Sequence, residues 1–88
     1  MNLKFKSSFA KDLKKVNDDR LMRHISTIIE LVEQAQNISQ MENIRKLRGN
    51  DRYYRIKIGD YRIGLMLEDD TVIFVRFLHR KDIYRYFP

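Results

Sequence analysis

Apolar residues change their period partway along this 88-residue chain, and that change requires helices and strands to share one domain. From Phe9 to Ala35 the apolar positions recur every three or four residues, the signature of a helix face. From Tyr53 onward they alternate with polar ones, as in a half-buried strand. A chain of this length supports a single core, so residues 1–88 are expected to form one α+β domain.

The element pattern follows from local signals. Asn2-Leu3-Lys4-Phe5-Lys6 alternates as a short strand with Leu3 and Phe5 inward. Ser7 and Ser8 offer an N-cap to a helix whose stripe is Phe9, Leu13 and Val16 and which ends near Asn17. Asp18 or Asp19 caps a longer helix with Leu21, Ile25, Ile28, Ile29, Val32 and Ala35 on one face. The two are expected to form an antiparallel hairpin. Residues 36–43 read as a loop or frayed helix end that crosses back to the sheet. Tyr54, Ile56 and Ile58 define a strand, Gly59-Asp60 a two-residue hairpin loop, and Tyr61, Ile63, Leu65 and Leu67 its return. After the turn at Glu68-Asp69-Asp70, Thr71 to Leu78 is almost wholly apolar, as in a strand covered on both faces, with Arg76 an unexplained exception. The tail from His79 to Pro88 is compatible with a turn of helix or an extended flap. The expected architecture is an N-terminal strand and a two-helix hairpin packed on a small antiparallel sheet, leaving the opposite sheet face as the one to inspect for function.

Composition excludes several functional classes. The chain has no cysteine and two scattered histidines, so neither a thiolate site nor a closed zinc shell is expected, and no cofactor is called for. No apolar run suits a signal peptide or a bilayer span, which makes the cytoplasm the expected location and a membrane an unlikely partner. The net charge of +6 is unevenly placed. Residues 1–44 carry seven Lys or Arg against six Asp or Glu; residues 45–88 carry eleven against six. A positive field concentrated on half of a small domain favours a polyanion such as nucleic acid, or an acidic protein segment.

The hairpin pairing sharpens this. With Gly59 and Asp60 as the loop, Lys57 stands opposite Arg62 and Arg55 opposite Gly64, all on the face away from the helices. Like charges across a strand pair destabilise by about 0.2–1 kcal/mol, so stability alone does not favour the arrangement. A phosphate between Lys57 and Arg62 would account for it, and Gly64 leaves room for a close backbone approach. The same spacing also describes the solvated side of an ordinary half-exposed sheet. Seven basic residues from Arg45 to Arg62, interleaved with Tyr53, Tyr54 and Tyr61, tilt the balance toward RNA or single-stranded nucleic acid, because bases stack on aromatic rings; ordinary core is the alternative reading for Tyr54 and Tyr61.

RNA carries its own nucleophile, the 2′-hydroxyl. Cutting it requires a base, positive groups for the transition state, and an acid for the leaving oxygen. A lysine crowded by cations is a candidate base, and Lys57 between Arg55 and Arg62 answers to that description. Arginine, always protonated, suits charge stabilisation. His79, which ends the last strand, is a candidate acid, because imidazole is the side chain whose reference pKa lies near neutrality; a surface histidine at a strand end is the ordinary alternative.

The runs Lys46-Leu47-Arg48-Gly49, Tyr54-Arg55-Ile56-Lys57, Asp60-Tyr61-Arg62-Ile63 and His79-Arg80-Lys81-Asp82-Ile83-Tyr84 together resemble the RelE/ParE superfamily of toxins. With the two leading helices, the likeness covers nearly the whole chain. It implies the toxin of a type II toxin–antitoxin pair, a metal-independent endoribonuclease that cuts messenger RNA in the ribosomal A site and leaves a cyclic phosphate and a 5′-hydroxyl. Its implied partners are a cognate antitoxin, the ribosome and messenger RNA. By the same resemblance Lys57 matches the general base and Arg62 the transition-state arginine, while Arg55 stands where RelE carries a second lysine. Arg80 or Lys81 matches the proposed acid, leaving the acid open among His79, Arg80 and Lys81. Tyr84 matches the tyrosine that stacks on or orients the base, and Lys46 and Arg48 match phosphate contacts. The superfamily also contains ParE gyrase inhibitors without this catalytic set. A non-toxic module acting only in a repressor complex is a third reading.

Overall fold

A computed structural model describes residues 1–49 and 51–88. In chain order the elements are strand β1 (Asn2–Phe5), helix α1 (Ser7–Lys14), helix α2 (Asp19–Gln34), a 3-10 turn (Ile38–Gln40), strands β2 (Ile44–Lys46), β3 (Tyr53–Ile58), β4 (Tyr61–Glu68) and β5 (Thr71–His79), and helix α3 (Arg80–Tyr86). The strands form one sheet in the order β1-β5-β4-β3-β2. The expected α+β class holds, with two differences. The sheet is mixed, because β1 runs parallel to β5, and it has a fifth strand, β2, antiparallel to β3. A strand of three residues is too short to show a period.

The hairpin register is the expected one: Ile58 pairs with Tyr61, Lys57 with Arg62, Ile56 with Ile63 and Arg55 with Gly64. Gly59 has φ 55°, and a two-residue loop that needs a positive φ at its first position takes glycine there without strain. Tyr54, Ile56, Ile58, Ile63, Leu65, Val72, Phe74 and Phe77 join Phe9, Ile25, Val32 and Ile38 in the main core. Full burial of side chains such as Ile25 and Val32 contributes about 1.5–3 kcal/mol each. Asp18 caps α2, its carboxylate accepting from the Leu21 N–H at 3.1 Å. Neither serine caps α1. Its N-cap is Lys6, without a side-chain bond, and the helix ends at Lys14 rather than near Asn17.

Ser8 has a different task, which also accounts for Arg76. Gly64 pairs with Arg76 but Leu65 pairs with Phe74, so Val75 is an extra residue in β5. The bulge shifts the inward positions from Val72 and Phe74 to Phe77, and turns Arg76 out of the apolar layer. It falls just where β1 ends: Lys6 N–H donates to the Phe74 carbonyl, and α1 then covers the β5 edge in place of a strand. The Ser8 hydroxyl donates to the Val75 carbonyl at 2.6 Å, and the Phe77 N–H donates to Asp12 at 2.9 Å. Arg76 closes on the same carboxylate through Nε at 2.8 Å and Nη2 at 3.1 Å. The hydrogen bond to Asp12 pushes the guanidinium pKa further up, against partial burial.

The tail is helical. His79 is the N-cap of α3, its Nδ1 accepting from the Lys81 N–H at 3.1 Å, and Arg80 N–H donates to the Asp60 carbonyl at 2.8 Å. Ile83 and Phe87 are buried outside the main core, on the sheet face opposite α1 and α2. Phe87 lies on Gly64, where an added Cβ would stand 2.6 Å from the ring, and its ring meets Tyr53 edge-on at 5.6 Å. The opening at Gly64 thus receives a side chain of this same chain, not an approaching foreign backbone.

Candidate functional site

Two rows of side chains cross the face that α3 only partly covers. β2 contributes Arg45, opposite Arg55, which in turn is opposite Gly64; one step along, Lys57 is opposite Arg62. The Lys57 N–H donates to the Asn43 carbonyl at 2.9 Å, which brings Asn43 to the end of the second row. Asn43, Ile44, Arg45, Arg55, Lys57, Arg62 and Tyr84 line a hollow of about 500 Å³.

Tyr84 closes it from above. The Arg55 guanidinium lies 4.4 Å from the centre of the Tyr84 ring, a cation–π contact that holds an exposed tyrosine over the sheet. Arg62 is held at the hairpin turn, Nη1 donating to the Gly59 carbonyl at 2.9 Å and the Tyr61 carbonyl at 2.8 Å. Its charge is fixed in place by carbonyls and not neutralised. Three other cations in this half of the chain have acidic partners: Lys46 with Asp51, Arg52 with Glu68, and Arg76 with Asp12. Among the described residues, Arg45, Arg55, Lys57 and Arg62 form no ion pair, and no carboxylate lines the hollow. Four uncompensated cations on adjoining strands, under an aromatic ring, form a site suited to a phosphodiester with a stacked base.

Other candidates are not among the lining residues. His79 is on the helical side of the sheet, its ring edge-on to Tyr61 at 5.6 Å, in a second hollow with Asp12, Leu21 and Phe77. Strand alternation explains this: His79 pairs with Tyr61, whereas Arg62 pairs with Leu78. Arg80 and Lys81 are exposed in the first turn of α3, and Lys46 and Arg48 are exposed beyond the lining. Arg45 and Asn43 are lining residues that the sequence pattern did not single out. Arg45 was visible as part of a basic run, but without β2 nothing assigned it a face.

Comparison with known proteins agrees with the fold and the family resemblance. The family described as "ParE toxin of type II toxin-antitoxin system, parDE" matches residues 3–84. Toxin RelE3 of Methanocaldococcus jannaschii is 43% identical over 89 residues, covering 100% of both chains. A chain in the crystal structure of the RelB–RelE antitoxin–toxin complex from Methanococcus jannaschii superposes with a TM-score of 0.81 at 42% identity, covering 97% of this chain and 99% of that one. The archaeal RelE–RelB complex from Pyrococcus horikoshii OT3 shares the fold, with a TM-score of 0.74 at 19% identity over 90% of this chain and 93% of that one. This chain therefore belongs to the ParE toxin family of type II toxin–antitoxin systems, and within the RelE/ParE superfamily it is of the RelE type.

Proposed function

We propose that the chain is a ribosome-dependent, metal-independent endoribonuclease that cuts messenger RNA in the ribosomal A site and so inhibits translation in the cytoplasm. The observation that carries this reading is the convergence of Arg55, Lys57, Arg62 and Tyr84 on one hollow free of carboxylates. Lys57 takes the proton of the 2′-hydroxyl, whose oxygen attacks the adjoining phosphorus. Arg62 stabilises the charge that builds on the phosphoryl oxygens, and Arg55 binds the RNA beside the cut. The bond from phosphorus to the 5′-oxygen breaks, leaving a 2′,3′-cyclic phosphate, and the departing oxygen takes a proton from the first turn of α3. There Lys81 is a better donor than Arg80, because a guanidinium does not release its proton under ordinary conditions. Tyr84 stacks on the base beside the cut. His79 has no part in this scheme: its side chain faces the other way and its Nδ1 already serves as a cap. Lys46 and Arg48 reach phosphates of the messenger or the ribosome.

A cognate antitoxin is the second proposed partner, as in the RelB–RelE complexes of the relatives. An acidic or amphipathic segment laid over the helices or the cationic groove, displacing α3, would switch the site off.

Primer extension on messenger RNA translated in a cell-free system tests the reading. The wild-type protein is expected to produce cuts within codons that require ribosomes, and Arg62→Ala to lose them. Absence of cuts with folded wild-type protein would reject the ribonuclease, and a supercoiling assay would then test gyrase inhibition.

A further inference from the structure

The cut itself uses one phosphate in the hollow, yet the hollow holds two cationic rows. Lys57 and Arg62 face each other across β3 and β4; Arg45 and Arg55 do so across β2 and β3. Arg55 and Lys57 lie two residues apart on the same face, so the rows are separated by about 7 Å at roughly 3.4 Å per residue. That matches the separation of successive phosphates along an extended single strand of RNA. Like-charged partners directly opposite each other twice in succession carry a cross-strand penalty each time. One phosphate between Lys57 and Arg62 would relieve the second pair and leave the first.

We propose that Arg45 and Arg55 form a second phosphate subsite, which holds the phosphodiester next to the one being cut. Arg45 is exposed on an edge strand and forms no ion pair among the described residues, so its guanidinium is free to offer a bidentate fork. Arg55 is oriented by its stack beneath Tyr84, and the N–H groups at its edge remain available. The ligand is thus a single-stranded ribonucleotide segment with at least two consecutive phosphodiesters, fixed at three points: two phosphates and a stacked base. This deepens the ribonuclease reading and rests on it for the direction of the strand, but not for the binding itself.

The test is calorimetric binding of 2′-O-methyl oligoribonucleotides, which cannot be cut, to wild-type protein and Arg45→Ala. A dinucleotide carries one phosphodiester and a trinucleotide two. Wild-type protein is expected to bind the trinucleotide roughly tenfold more tightly, and Arg45→Ala to lose that gain while binding the dinucleotide as before. The salt dependence should agree, with the log–log slope for the trinucleotide falling by about 0.7 in the variant, the share of one single-strand phosphate. Arg45→Lys should recover part of the gain. An equal gain in Arg45→Ala, or no binding of either oligonucleotide by the wild type at low salt, overturns the subsite. The two readings fail separately. An Arg45-dependent gain in a protein that cuts nothing on ribosomes would leave the subsite and reject the nuclease, whereas unchanged cutting and unchanged binding in Arg45→Ala would do the reverse.

Discussion

Replacing Asp12 by alanine is expected to destabilise the protein by about 3 kcal/mol, near the lower end of what breaking a buried charge pair costs. The Asp12 side chain is only 4% exposed and accepts from Arg76 Nε, Arg76 Nη2 and the Phe77 N–H. Truncation leaves a strand N–H at the β5 edge with no acceptor, and a guanidinium that has lost its counter-charge. Arg76, with 26% of its side chain exposed, recovers some hydration, which keeps the loss from the upper end. For a domain of this size each kcal/mol lowers the melting temperature by roughly 4–8 °C, so the expected drop is about 12–24 °C. Thermal and urea denaturation measure it. Asp12→Asn should fall between wild type and alanine, because its amide oxygen still accepts from Phe77 while the charge is gone. A loss below 1 kcal/mol in Asp12→Ala would show that the edge of β5 does not depend on this carboxylate.

Asp12 also shows where sequence reading stopped. The alternation of Tyr54, Ile56 and Ile58 and the Gly59-Asp60 loop carried the β3–β4 register correctly, because a period of two and a two-residue turn leave one pairing. The cationic face followed from that register. Arg76 had no account, since its partner lies 64 residues away and its orientation depends on a bulge that one extra residue, Val75, creates. His79 was misplaced for the same kind of reason: being near the cationic face in sequence says nothing about which side of the strand a residue takes. β2 was invisible as a period, and Arg45 with it. The family motifs named Lys57, Arg62 and Tyr84, but only the tertiary fold brings Tyr84 over Arg55 and adds a second row of charge.

The placement of Tyr84 rests on Phe87, and Phe87→Ala is expected to reduce cutting about a hundredfold or more, the usual cost of moving a substrate-positioning group by an ångström or so. α3 has only seven residues and cannot hold its own shape without packing. It is fastened at its start by the His79 cap and the Arg80–Asp60 bond, in its middle by Ile83, and just past its end by Phe87 on Gly64. Removing the last anchor frees the turn that carries Tyr84 while leaving the main core intact. The stability loss should therefore stay below the roughly 3–5 kcal/mol of a Phe→Ala change in a central core, with amide exchange rising selectively in α3. Gly64→Ala attacks the same contact from the other side, because its Cβ would come within 2.6 Å of the ring and force it to move. It should reproduce both the loss of cutting and the local exchange without altering α3 itself. The double variant should be no worse than Phe87→Ala alone, since the methyl group then enters space the ring has vacated. Full cutting by Gly64→Ala, or additive losses in the double variant, would mean that α3 holds Tyr84 without this anchor.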